Sequence, residues 1–267
     1  DGVGKARLAE LSSLAFFVSE TANVRLPNTL PYVGKSAFAH KGGIHVSAIL
    51  KDNRTYEHIS PELVGNNRRV LVSDLSGKSN LLYKIRELGD FDTEKLDLSP
   101  LLKHIKKMEY EGYQYEGAEA SFKLLVNHFA RGLVEPFTVK GFRIIVDQMN
   151  NGDFVSEATV KVGVGDETEH TASEGNGPVN ALDLAVKKAL GRFFPEILDV
   201  HLLDYKVRVL GSKDGTAAKV RVLIESTDGR SSWTTVGVSS NVIEASWIAI
   251  IDSILFKLAF DRKQEAS

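Results

Sequence analysis

Apolar residues recur at Leu8, Leu11, Leu14, Ala15 and Val18, a spacing of three and four that gathers them on one face and predicts a helix ending near Ala22. Asn28, Pro31 and Gly34 break the pattern. Lys41-Gly42-Gly43 then turns the chain into a short helix over residues 44–50. Ser60-Pro61-Glu62-Leu63 reads as a single helical turn with proline at its first position. A short strand is expected over residues 69–73 and a helix over 80–88. Asp97-Leu98-Ser99-Pro100 opens another helix, with Ser99 as its cap and Pro100 as its first residue, running through Leu102, Ile105 and Met108 to Gly112. Residues 118–129 make a further helix, so the first half is mostly helical.

The texture changes near Val134. Residues 142–147 read as a strand, 158–164 alternate with period two, 167–172 form a third strand, and 179–193 an amphipathic helix. The order then repeats, with strands over 205–210, 218–224 and 233–238 and a helix over 242–260. An offset of 64 residues lays Ala181 on Ala245, Leu184 on Ile248, Ala185 on Ala249 and Leu190 on Ile254, pairs assigned to one helix face. The expected fold is therefore α+β: helical small subdomains over residues 1–85 and 86–135, then a duplicated βββα domain with pseudo-twofold symmetry over 136–267. The last helix is apolar nearly all round, a pattern that requires burial on more than one side. A subunit interface there is the first expectation, and a thick monomeric core is the alternative.

A chain of 267 residues has room for one large domain or two ordinary ones, and 43% hydrophobic with 25% charged residues supports a packed core. The net charge of −2 argues against a dedicated partner of nucleic acid or anionic membrane; Arg68, Arg69, Lys103, Lys106 and Lys107 read as a solvated face. There is no cysteine, which excludes disulfides, thiolate metal sites and cysteine nucleophiles and fits a cytoplasmic protein. No stretch approaches the apolar length that a membrane-spanning helix needs. The start has neither a signal-peptide core nor an initiator methionine, the only methionines being Met108 and Met149, so a piece of a longer chain is expected.

Three segments are candidates for chemistry. The densest polar cluster holds His40 and His45 around Lys41-Gly42-Gly43, followed by Tyr56-Glu57-His58. Two histidines five apart do not share a helical face, which disfavours a helix-mounted metal site, although the glycines could fold both rings toward one point. A structural role and an acid/base or substrate contact both remain open. Residues 72–79 superficially resemble a phosphate loop but carry Val72 where the first glycine is needed, so a plain helix start is expected. Residues 173–181 hold Gly175-Asn176-Gly177 ahead of a helix start, where close backbone approach and free N–H groups suit a carboxylate; an ordinary left-handed turn is the alternative.

Residues 32–45, with His40, Lys41, Gly42, Gly43 and His45, and residues 55–65, with Tyr56, Glu57, His58 and Pro61, resemble the segment that follows the catalytic barrel in the 2-isopropylmalate and (R)-citramalate synthases. Glu111-Gly112-Tyr113, residues 116–122, residues 175–182 and Asp204-Tyr205-Lys206-Val207-Arg208 are similar to the citramalate branch, and the resemblance covers almost the whole chain. It implies a parent acyltransferase that condenses acetyl-CoA with a 2-oxo acid on a barrel holding a divalent metal. No cofactor and no metal ligand is expected in the present chain, which alone should be inactive. The resemblance also implies that His45 and Tyr56 are lent to the active site of the partner subunit. Val46-Ser47 departs from the isopropylmalate pattern and favours pyruvate as the oxo acid. It further implies a homodimer whose last domain binds isoleucine, or leucine in the isopropylmalate branch. The effector contacts map onto Gly175, Asn176 and Gly177, with Val179 and Ala181 beside them.

Overall fold

The computed structural model describes residues 5–22, 26–34, 36–40, 43–70, 78–89, 91, 97–115, 117–132, 134–150, 152–210 and 218–260. They form two compact units, Asp1–Lys106 and Lys107–Ser267. Among the described residues no helix is long and apolar enough to cross a membrane.

In the first unit the expected opening helix is divided into α1 (Lys5–Leu8) and α2 (Leu11–Ala22). The break turns the Ala9 carbonyl onto Gly65, where a Cβ would meet that oxygen at 2.1 Å. Gly65 has φ 66 and closes the 3-10 turn Pro61–Val64. Ser12 Oγ fastens the same junction by donating to Val64 O at 2.7 Å. Strand β1 (Ala39–His40) pairs in parallel with β2 (Arg69–Val70), and residues 71–73 of the expected strand lie outside the described residues. Helix α3 (Gly43–Lys51) follows β1. Helix α4 (Lys78–Glu87) buries Leu81 and Ile85 completely. Such full burial contributes about 1.5–3 kcal/mol per side chain. The phosphate-loop-like residues lie outside the described part as far as 77.

Helix α5 (Leu98–Tyr110) corrects one expectation. Its cap is Asp97, whose Oδ1 accepts the Ser99 N–H at 2.9 Å, so Pro100 is the third helical residue. A carboxylate caps as well as a hydroxyl, and here the helix starts two residues earlier than expected. Lys103, Lys106 and Lys107 are exposed on this helix, as expected.

The second unit continues with α6 (Glu119–Arg131), β3 (Thr138–Gln148), β4 (Phe154–Val164), β5 (Glu167–Gly175) and α7 (Pro178–Leu190). After the 3-10 turn Pro195–Asp199 come β6 (His201–Leu210), β7 (Lys219–Thr227), β8 (Ser232–Ser239) and α8 (Val242–Phe260). The strands make two antiparallel three-stranded sheets, β3-β4-β5 and β6-β7-β8, each in sequence order. Helix α7 packs on β4 and β5, and α8 packs on β7 and β8. One continuous core joins both halves, including Val160, Leu182, Leu190, Ile224, Ile250 and Ile254.

The duplication extends to single atoms. Thr171 Oγ1 donates to Ala185 O at 2.8 Å, and 64 residues later Thr235 Oγ1 donates to Ala249 O at 2.7 Å. Ala181, Ala185 and Ala189 form a small-residue stripe on α7, matched by Ala245, Ala249 and Ser253 on α8. These stripes let the last strand of each half come very close. A Cβ on Gly175 would lie 2.4 Å from Ala181 N, and one on Gly237 would lie 1.9 Å from Ala245 O. The pair Leu184 and Ile248 is less buried than the other three, Leu184 being 41% exposed and Ile248 half-buried.

Helix α8 owes its all-round apolarity to packing inside the chain. Helix α6 lies on one side, the sheet on another, and α7 with the 3-10 turn Pro195–Asp199 on the rest. These contacts are those of the thick-core alternative, although Val242 on α8 is still 40% exposed.

Candidate functional site

The first unit brings the polar cluster of residues 40–58 together in two layers. The inner layer is built on Glu57, whose side chain is 2% exposed. Arg68 Nε donates to Glu57 Oε1 at 2.7 Å and Arg68 Nη2 to Oε2 at 2.6 Å, a two-pronged clamp, while His40 Nε2 lies 3.0 Å from Oε1. Tyr83 on α4 hydrogen-bonds the same guanidinium. Burial alone would raise the Glu57 carboxyl, but the hydrogen bonds from Arg68 and His40 outweigh it and hold the group below its ordinary value. The same contacts raise Arg68, which stays charged. Arg68 is therefore an internal ion-pair partner and not part of a solvated face, whereas Arg69 is exposed. His40 has taken the structural role left open by the sequence.

The outer layer is His45 and Tyr56. Helix α3 carries His45 on its first turn, and the 3-10 turn Asn53–Thr55 delivers Tyr56. Asp52 caps that turn by accepting the Arg54 N–H at 3.0 Å. The two rings stack with centroids 4.1 Å apart and planes 21° from parallel. Both residues are exposed, and among the described residues neither side chain has a hydrogen-bond partner. An imidazole beside a phenol, both open to a ligand, can donate, accept or relay a proton at a substrate oxygen. The His58 ring faces Tyr32, with centroids 6.0 Å apart.

The second unit carries a groove of about 810 Å³ between α7 and the start of β6. That size suits a small-molecule site. Val179, Leu184, Leu198, Leu202 and Tyr205 give it apolar walls, and Asn180, Asp183, Lys187, Lys188 and His201 give it polar groups. Asp183 is 7% exposed. Burial raises its carboxyl, and Lys187, whose Nζ lies 2.7 Å from Oδ2, opposes that rise. Pro178 opens α7, so the N–H groups of Val179 and Asn180 have no acceptor within the helix.

The predicted effector residues fall in different places. Val179 lines the groove. Ala181 is fully buried in the core stripe. Gly175 is needed for the close approach of β5 to α7. Gly177 is extended, with φ 180, so the left-handed turn offered as an alternative is absent there. The Asn176 N–H is already satisfied by Asn180 Oδ1 at 3.0 Å.

Asp183 is a groove residue that sequence reasoning did not single out. The 64-residue offset places it on Trp247, which in the second half packs on Phe142 of β3 with ring centroids 4.8 Å apart. A carboxylate where the other copy has a core tryptophan was the available clue. It explains why the first half leaves an opening that the second half fills. Among the described residues no three histidine, aspartate or glutamate side chains are grouped to hold a metal ion.

Residues 116–257 match the family model of the LeuA allosteric (dimerisation) domain. The chain belongs to that family. Residues 32–112 match a second model, the homocitrate synthase post-HMGL domain-like family. The LeuA-type region thus takes in the groove, and the post-HMGL-like region takes in the His45–Tyr56 pair. Among curated proteins, the chain is 52% identical to the (R)-citramalate synthase of Aquifex aeolicus over 99% of its own length and 50% of the relative's. It is 51% identical to the Geobacter sulfurreducens enzyme of the same name, over 99% and 51%. The Synechocystis (R)-citramalate synthase is 47% identical over 97% and 48%. The chain spans about half the length of the curated relatives it matches.

Proposed function

We propose that this chain is the post-barrel and feedback-regulatory part of a cytoplasmic acyltransferase that joins acetyl-CoA to pyruvate to make (R)-citramalate, and that isoleucine is its effector. The α7–β6 groove carries the regulatory half of this reading. A zwitterionic amino acid needs an anion for its ammonium, N–H donors for its carboxylate and an aliphatic wall for its side chain. Asp183, the first turn of α7, and Leu184, Leu198 and Leu202 supply these in one place. Calorimetry with isoleucine, leucine and valine on this chain tests it. Isoleucine is expected to bind most tightly, and Asp183→Asn to abolish the heat. Preference for leucine would move the assignment to the 2-isopropylmalate branch. Binding of none would leave a purely structural dimerisation module.

The catalytic half rests on the exposed His45–Tyr56 stack, which reaches into the partner subunit's barrel to assist proton transfer at the substrate. The chain alone, without a barrel, is inactive. The homodimer forms through β6, where Tyr205, Val207 and Val209 are on one face and are 37%, 45% and 60% exposed. A β-strand that shows alternate aliphatic residues to solvent is a surface in want of a second copy.

A further inference from the structure

We propose that Glu57 is the positioning residue of the His45–Tyr56 pair: its buried carboxylate, clamped by Arg68 and His40, fixes the turn from which Tyr56 reaches the imidazole. The proposal rests on the catalytic reading of that pair and adds the device that holds it in place.

Tyr56 has nothing of its own to fix it apart from the stack, since its hydroxyl makes no hydrogen bond among the described residues and its side chain is 47% exposed. Among the described residues its N–H makes one long bond, to Asn53 O at 3.4 Å. The next residue is the opposite case. The Glu57 N–H donates to Asn53 O at 3.0 Å, and its side chain enters the interior, where both oxygens are engaged. The clamp ties four separate stretches together: β1 through His40, the 53–57 turn through Glu57, the residue before β2 through Arg68, and α4 through Tyr83. Helix α3, which bears His45, packs against both that turn and α4. The frame that orients Tyr56 is therefore also the floor under His45. A carboxylate gripped at both oxygens by a planar guanidinium leaves the turn one orientation, and the stack follows from it.

The readout is the ring-current shielding that Tyr56 imposes on the His45 ring protons, followed by proton–carbon correlation in the 267-residue chain, with Tyr56→Leu marking the unshielded position. Glu57→Gln is expected to move the His45 resonances at least half-way to that position. Ser12→Ala removes a buried hydrogen bond elsewhere in the same unit; it serves as a control for lost stability and is expected to leave the resonances in place. Should Glu57→Gln leave the first unit unfolded, Glu57→Asp, which keeps the charge on a shorter arm, is expected to shift them in the same direction. Unmoved resonances in the folded glutamate variants, or equal movement in Ser12→Ala, would overturn the proposal. In the full-length polypeptide, Glu57→Gln is expected to lower kcat by roughly tenfold or more with little change in KM, as displacing a catalytic group does. If His45→Ala leaves turnover unchanged, the catalytic reading falls, while the resonance test still decides whether Glu57 orients the pair.

Discussion

The two glycines of Gly175-Asn176-Gly177 are not equivalent, and substituting each by alanine separates packing from ligand contact. At Gly175 the new methyl would sit 2.4 Å from Ala181 N and 2.7 Å from Ala181 Cα, both backbone atoms of a helix wedged between sheet and core. Neither can yield without moving α7 off β5. Overpacking of this kind costs about 1–3 kcal/mol. For a unit of this size each kcal/mol lowers Tm by about 2–4 °C, so Gly175→Ala should lower it by roughly 2–12 °C. At Gly177 nothing lies within 4 Å of the added Cβ, and the extended backbone suits any residue. There the small capping loss and the reduced freedom of the unfolded chain offset each other to within about 0.5 kcal/mol. Differential scanning calorimetry on the second unit's transition reads both. Isoleucine titration of Gly177→Ala then reports on the ligand alone. Equal Tm values for the two variants, or a larger loss at Gly177, would refute the packing argument.

Two further outcomes follow from the second unit. Asp252 on α8 accepts from Ser121 Oγ at 2.6 Å, and that hydroxyl also accepts the Val236 N–H at 3.0 Å. Burial pushes the Asp252 carboxyl up to about 6, with Glu135 adding repulsion and the Ser121 bond opposing the rise. The folded state thus binds a proton that the unfolded state has released between pH about 4 and 6, and stability falls by roughly 1–3 kcal/mol as pH rises through that window. Urea midpoints measured across it should flatten in Asp252→Asn; an unchanged slope would rule out Asp252 as the source. On β6, Val207→Asp with Val209→Asp places charge on the row proposed for dimer contact. Sedimentation should show a monomer with unchanged circular dichroism, and a persistent dimer would place the interface elsewhere.

Much of the second unit could be read from the sequence, because its information is local. Period-two alternation over residues 158–164, helical spacing over 179–193 and their recurrence at an offset of 64 need no long-range contact to be seen. They predicted α8 with its observed bounds, Val242–Phe260. The first unit was less legible, since short elements broken by glycine and proline carry little periodicity. Its first helix split where the Ala9 carbonyl had to meet Gly65.

Periodicity tells which face of an element is buried but not what buries it, and that was left to the tertiary structure. The sequence marked α8 as buried on more than one side; only the fold showed that α6, α7 and the sheet pack against it. It marked His45 and Tyr56 by resemblance, but nothing in the local pattern joins Glu57 to Arg68, 11 residues away, or to His40, 17 residues away. Those pairings depend on where β1, β2 and α4 come to lie. A buried charge is tolerated only where its partners converge, and convergence is a property of the folded chain.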